Sequence, residues 1–253
     1  MNLKKRLQEG ILSVGSWISL AHPAHAEIMA KSGFDWLALD MEHSVISLAE
    51  AEAMIRIIEL CGVTPLVRLT ANDPNQIKRI MDSGAHGIIV PMVKSAEESQ
   101  AAVRAVRYPP QGNRSVGLAR AQGYGARFHP YREWQAEQSI VIVQIEHIDA
   151  MKDLKGILSV DGVDGYFIGP YDLTGSMGIT GQFNHPDYLA VVNEIQQTGK
   201  ALGKPGGIHV IEPNLKELRS RIEEGHRFIA YSVDFRIMDV ACREGIAVVQ
   251  SFR

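Results

Sequence analysis

The sequence predicts an α/β protein whose parallel strands close into one (β/α)8 TIM barrel, and three observations predict it. Eight apolar runs of strand length punctuate the chain, each followed by a stretch with helical pattern. Several of these runs are continuously apolar, as strands covered on both faces are in parallel sheets. Eight such units in 253 residues suit a single barrel domain and favour closure over an open sheet.

Taken in order, the predicted strands are 12–20, 36–41, 65–69, 87–91, 140–146, 165–169, 205–210 and 228–233. The opening Lys4-Lys5-Arg6 reads as a solvated first turn. Ser47 starts a helix over 48–60, and Glu50 completes a capping box with it. Asp73 precedes Pro74 at the first position of the next helix. Ser95 and Glu98 repeat the box pattern. Gly33, Gly62, Gly84 and Gly225 stand where helices end before the following strand. Residues 149–160 have helical length and connect the fifth and sixth strands. Two stretches break the rhythm: 109–137, rich in Gly, Arg and aromatics, and 174–188, with Gly175, Gly178 and Gly181. Both read as long loops of the kind that shape a site mouth or serve an interface. No linker or repeat interrupts the chain, so residues 1–253 form one domain. The helix expected over 234–245 has an apolar face that suits closure of its own barrel or exchange with another subunit.

Catalytic groups of such barrels sit at the C-terminal ends of the strands. That rule selects Glu42 and His43 after strand two, Arg68 after strand three, Gln144 and Glu146 on strand five, and Asp172 after strand six. The parallel connection brings Glu146 and Asp172 to one edge of the sheet. Two acids at neighbouring strand ends are half of an oxygen-ligand site for a hard divalent cation. Each residue also has a plainer use. The acids can cap the helices that follow, Arg68 can pair with Glu42, and His43 can simply be hydrogen-bonded. Their convergence favours chemistry, with His43 suited to proton transfer near neutrality and Arg68 to stabilising an oxyanion. His22 and His25 share a helix face without an acidic partner set, so an ordinary helix start is expected there.

Composition narrows the class further. A net charge of -3 with scattered Lys and Arg gives no reason to expect nucleic acid as a partner. Two cysteines, Cys61 and Cys242, support neither a disulfide frame nor a thiolate metal site, and a reducing cytoplasm fits. Neither a signal-peptide pattern nor an apolar run of membrane-spanning length is present. Gly123-Tyr124-Gly125 lacks the flanking strand and helix of a dinucleotide fingerprint.

In combination, several motifs carry a resemblance. They are Gly33-Phe34-Asp35-Trp36 with Asp40-Met41-Glu42-His43, Val67-Arg68, Asn72-Asp73-Pro74, Val90-Pro91-Met92-Val93 and Arg107-Tyr108-Pro109-Pro110-Gln111-Gly112. Gln144-Ile145-Glu146 and the run from Gly165 to Leu173 complete the set. Over nearly its whole length the chain resembles the HpcH/HpaI aldolase/citrate lyase family, metal-dependent aldolases of 4-hydroxy-2-oxo acids built on pyruvate-binding barrels. The resemblance implies that Glu146 and Asp172 ligate magnesium, manganese or cobalt. It implies that His43 is the base, acting through water, and that Asp82 raises its basicity. Arg68 would hold the oxo oxygen as charge develops, while Gln144 and the backbone at Tyr171 and Asp172 bind pyruvate. The partners implied are a small 2-oxo acid and an aldehyde. The assembly implied is a homo-oligomer, a hexamer built as a trimer of dimers that exchange a C-terminal helix. Decarboxylation of oxaloacetate, or cleavage of an acyl-CoA ester, would use the same chemistry and stays open; a non-catalytic acid-binding barrel is the remote alternative. Three positions depart from many relatives: Met41 replaces Gly, Tyr171 replaces Ala beside the pyruvate pocket, and His209 replaces an apolar residue near the incoming aldehyde.

Overall fold

The computed structural model describes residues 1–253. Its eight strands are β1 (Ser13–Ile18), β2 (Trp36–Asp40), β3 (Thr64–Arg68), β4 (Gly87–Val90), β5 (Ile140–Ile145), β6 (Gly165–Ile168), β7 (Gly206–Val210) and β8 (Phe228–Val233). All neighbours pair in parallel and β8 returns to β1, which closes the barrel. Every predicted strand is present, with each end within two residues of the expected one.

Side chains alternate between the two faces of a strand, and the core divides accordingly. One apolar cluster fills the barrel, with Trp36, Ala38, Leu66, Ile142, Phe167, Phe228 and Ala230 among its members. A second lies between barrel and helices, built from Leu37, Leu39, Val67, Ile88, Val141 and Val143 with helical partners such as Met54, Ile58 and Ile77. The inner space has no room for a side chain at Gly15, where a Cβ would lie 2.1 Å from the Trp36 ring. Because Trp36, Ala38 and Leu66 point inward, so do Asp40 and Arg68 one step further along. Gln144 follows Ile142 in the same way, and His209 follows Gly207. The upper layer of an apolar barrel is therefore polar.

The helices begin largely as their signals predict. Ser47 and Glu50 form the reciprocal capping box of α3 (Leu48–Leu60), and Asp73 caps α4 (Pro74–Asp82) with Pro74 in its first turn. On α5 (Ala96–Val106) Ser95 caps, but the Glu98 carboxylate accepts from the Lys94 N–H, so only half of the expected box forms. His22 caps α2 (Pro23–Lys31), an ordinary helix start.

Four expectations are corrected. Lys4 is buried, not solvated: α1 (Leu3–Gln8) plugs the lower mouth of the barrel with Leu3 and Leu7, and the Lys4 ammonium pairs with Asp164 at 3.1 Å. The stretch 109–137 is not one loop, since it contains a 3-10 turn at Arg120–Gly125 and most of α6 (Phe128–Gln138). The connection after β5 opens as a 3-10 turn, Ile148–Asp153, before α7 (Leu154–Ser159). The irregular part of 174–188 is short, because α8 (Pro170–Ser176) and α9 (Pro186–Ala201) enter it from both sides.

After α10 (Leu215–Glu223), the chain ends in α11 (Asp234–Gln250). Asp234 anchors it by accepting from the Ser19 and Leu20 N–H groups. From Ala241 onward every residue is exposed, Ile246, Val248, Val249 and Phe252 included.

Candidate active site

The C-terminal rim is organised by Asp40 and Arg68. Asp40 is buried, and its carboxylate accepts from Arg68 Nε at 2.9 Å and Nη2 at 2.7 Å. The same carboxylate accepts from the backbone N–H groups of Glu42 and His43 at 3.0 and 3.1 Å, which folds the turn after β2. Burial alone would raise the Asp40 pKa. The Arg68 fork and the two N–H groups outweigh it and hold the carboxyl below its ordinary range. Arg68 lies over the Trp17 ring at 4.7 Å, a cation–π contact that further fixes its plane. Its remaining nitrogen, Nη1, stands 3.4 Å from Glu42 Oε2. The expected Arg68–Glu42 pair thus exists, but as the lesser contact. His43 is the outermost of these groups: its side chain is 62% exposed, with Nε2 3.8 Å from Glu42 Oε2.

Glu146 sits just past β5 and is buried, held by two donors. Its Oε1 accepts from the Met92 N–H at 2.6 Å and its Oε2 from Gln144 Nε2 at 2.9 Å. Met92 makes its bond with φ at +56°, unusual for a residue with a side chain. Gly169 completes the cradle, since a Cβ there would lie 2.3 Å from Glu146 Oε2. Asp172 lies after β6 as expected, in the first turn of α8, and its side of the rim adjoins Glu146 through the β5–β6 pair Ile145 and Ile168. Burial, reinforced by Glu42 and Asp172, pushes Glu146 up to about 7 against the Met92 N–H and Arg68. Glu42 is raised by burial as well, with Arg68 and His43 opposing.

These electrostatics test whether a divalent cation fits. Four carboxylates, those of Asp40, Glu42, Glu146 and Asp172, share the rim with one guanidinium. Buried acceptors are also left over: Glu42 Oε2 and Gln144 Oε1 have no hydrogen-bond donor. No three His, Cys, Asp or Glu side chains form a ready-made ligand cluster. A cation here would rest on two carboxylates, with water or substrate oxygens completing its shell, as magnesium-like ions do. The residues fit such an ion.

Asp82 is the exception among the predicted residues. It ends α4, with four residues between it and β4, which places it at the N-terminal end of the barrel while His43 stands at the C-terminal end. Its carboxylate pairs with the buried Arg114, whose guanidinium also donates to the Tyr131 hydroxyl. Within one chain Asp82 cannot act on His43. Asp40, the Met92 N–H and Trp17 were not singled out from sequence. The inward parity of Asp40, two residues after Ala38, was the signal that could have found it.

Fold and rim together define an enzyme of the (β/α)8 class that works at the C-terminal ends of its strands. The profile of the HpcH/HpaI aldolase/citrate lyase family matches residues 13–239, and the chain belongs to that family. It is 41% identical over 239 residues to a hydroxypyruvate/pyruvate aldolase from Sagittula stellata, covering 94% of this chain and 93% of that one. It is 39% identical over 243 residues to a 4-hydroxy-2-oxo-heptane-1,7-dioate aldolase from Escherichia coli, covering 94% and 90%. A solved structure of a family member from Burkholderia cenocepacia superposes with a TM-score of 0.92 at 32% identity, over 98% of both chains. The protein is therefore a carbon–carbon lyase, an aldolase.

Proposed function

We propose that the chain reversibly cleaves a 4-hydroxy-2-oxo acid to pyruvate, or a close analogue, and an aldehyde, with a divalent cation on Glu146 and Asp172. The observation that carries this reading is the buried Glu146, its pKa raised first by burial and then by neighbouring acids, set across the rim from Arg68. When bound, a magnesium, manganese or cobalt ion would supply Lewis acidity toward the carboxylate and oxo oxygens of the acid.

The chain's own residues supply the rest. Asp40 engages two Arg68 nitrogens and leaves Nη1, whose one protein partner is the longer contact to Glu42 at 3.4 Å, to face the oxo oxygen, where negative charge develops as the C3–C4 bond breaks. His43, exposed at the rim, takes the C4 hydroxyl proton through water. The Gln144 amide and the backbone at Tyr171 and Asp172 orient the carboxylate end. The residues assigned to the rim include no lysine, so this mechanism runs without an imine. Asp82 takes no part in this rim within its own chain.

Assembly into a homo-oligomer, with α11 exchanged between subunits in a trimer of dimers, is supported by the apolar residues that α11 leaves exposed. Sedimentation of the full chain against one ending at residue 240 tests it. No helix is long and apolar enough to cross a membrane.

The activity test uses purified protein, manganese, pyruvate and a panel of aldehydes, with pyruvate consumption as the readout. Turnover that a chelator abolishes, and that borohydride with substrate does not trap, supports the proposal. Rapid loss of oxaloacetate with no aldol turnover replaces it with decarboxylation.

A further inference from the structure

The Asp40 fork holds Arg68 by its edge, which fixes the guanidinium within its own plane but leaves it able to rock out of that plane. A ring beneath its face stops the rocking. Trp17 is that ring, with the guanidinium carbon 4.7 Å from its centroid. The aim of Nη1 therefore depends on how firmly Trp17 is held. Its indole N–H is buried without an acceptor, so no side-chain hydrogen bond of its own anchors it. Its place is set by the rings around it, Trp36 at 6.4 Å, Phe167 at 5.8 Å and His209 at 6.0 Å between centroids.

Of these three, His209 is the one tied to the backbone. Its Nε2 lies 3.2 Å from the Ser232 carbonyl oxygen, and because a carbonyl only accepts, Nε2 carries the proton. A β-bulge presents that carbonyl. Gly15 pairs with Ala230 and Trp17 with Val233, so Tyr231 and Ser232 together stand opposite Ser16. Ser232 has φ at +54°, a left-handed conformation that strains a residue with a side chain. It is held there from two sides. The Ser16 hydroxyl donates to its carbonyl at 3.2 Å, and its own hydroxyl donates to the Ile211 carbonyl at 2.9 Å. The imidazole thus rests on a fixed acceptor. Burial holds the His209 pKa down at about 4, with Arg68 acting in the same direction and the Ser232 carbonyl and Asp40 against it. The ring is neutral near pH 7 and sets no second positive charge beside the guanidinium.

We propose that His209 is a positioning residue for Arg68: braced on the Ser232 carbonyl, it holds the Trp17 ring against the guanidinium and keeps Nη1 aimed. Support runs from the bulge in β8 through the imidazole and the indole to Arg68, and only the last member faces substrate. His209 therefore acts on the rate through Arg68 and not on the choice of substrate. This assignment rests on the reading of Arg68 given above and adds the residues that aim it.

The test measures manganese-dependent addition of pyruvate to one fixed aldehyde, with circular dichroism to establish the folded fraction. It compares the native protein with His209→Leu, Trp17→Leu and the variant carrying both changes. Arg68 acts on charge that develops in the transition state, so each single change is expected to lower kcat about tenfold and leave the KM for pyruvate unmoved. The double variant is expected to match the slower single one, because the two side chains act in series. His209→Gln keeps a donor for the Ser232 carbonyl and Trp17→Phe keeps a ring face, and both are expected to recover most of the rate. A merely structural role would lower the melting midpoint and leave kcat per folded molecule unchanged. His209→Phe fills the same space without the donor and serves where the Leu variant does not fold. Native kcat in either folded variant overturns the assignment alone, as do losses that multiply in the double variant. No manganese-dependent turnover by the native protein overturns the reading of the rim and this assignment with it.

Discussion

Replacing Asp40 by Asn isolates the contact on which the rim depends. The substitution keeps the shape of the side chain and removes its charge. Both carboxylate oxygens accept from Arg68, and one also accepts from two backbone N–H groups. An amide can satisfy only one arm of the guanidinium fork, because its NH2 group faces another donor. Glu42, at 3.4 Å, is then the one carboxylate left within ion-pair distance of Arg68. Removing one partner of a buried pair costs about 3 kcal/mol, which at this chain length lowers the thermal midpoint by about 6–12 °C. Arg68 also loses the partner that aims Nη1, and a misplacement of about 1 Å costs about hundredfold in rate. Circular dichroism melting and manganese-dependent aldol addition measure the two effects on one preparation. Replacing Arg68 by Lys should produce a similar loss of rate, since an ammonium cannot form the fork. An Asp40→Asn protein with an unmoved midpoint and unmoved kcat would refute the reasoning.

Three further outcomes are expected. Glu146→Gln should weaken manganese binding by more than about hundredfold and abolish aldol turnover, as read by calorimetric titration and pyruvate consumption; undiminished manganese affinity would remove Glu146 from the ligand set. Gly169→Ala should also impair manganese binding, because its new Cβ must displace Glu146 Oε2 from 2.3 Å, at a cost of about 1–3 kcal/mol in stability by denaturant unfolding. The third concerns pH. His209 falls from an ordinary 6.5 to about 4 in the fold, so between those values the unfolded chain binds more protons than the folded one. Its contribution is complete above pH 6.5 and falls away as pH drops toward 4, by about 3 kcal/mol in all. Urea unfolding at pH 7 and pH 4.5 should show a smaller acid loss in His209→Leu than in the native protein; equal losses in the two would show that His209 is not the source.

The barrel was legible because its signals are local and repeated. Runs such as Ile140 to Ile145 and Phe228 to Val233 are too short and too β-branched or aromatic to be helices, and Ser47 and Asp73 cap the helices beside them. What escaped was decided by tertiary contact. Lys4 belongs to a charged triplet, and only Asp164, far along the chain, explains its burial. Helix α6 has no side-chain cap and carries Pro130 in its first turn, so it read as loop. At the site, Glu146, Arg68, Gln144 and His43 were visible as strand-end residues. Asp40 was not, because its role is to hold Arg68 and the turn after β2. The Met92 contribution was invisible in principle, since it comes from a peptide group. Asp82 is the opposite case, a role implied by resemblance for a residue that one chain's topology sets at the far end of the barrel from His43.

The Met92 N–H has a consequence for redesign. A donor that belongs to the main chain survives any side-chain replacement except proline, so the buried carboxylate keeps one of its anchors whatever stands at position 92. Glycine there would even relax a backbone that L-residues rarely adopt. The entrance next to Glu146 can therefore be reshaped at this position while the acid stays oriented, an independence that neither Gln144 nor Gly169 allows.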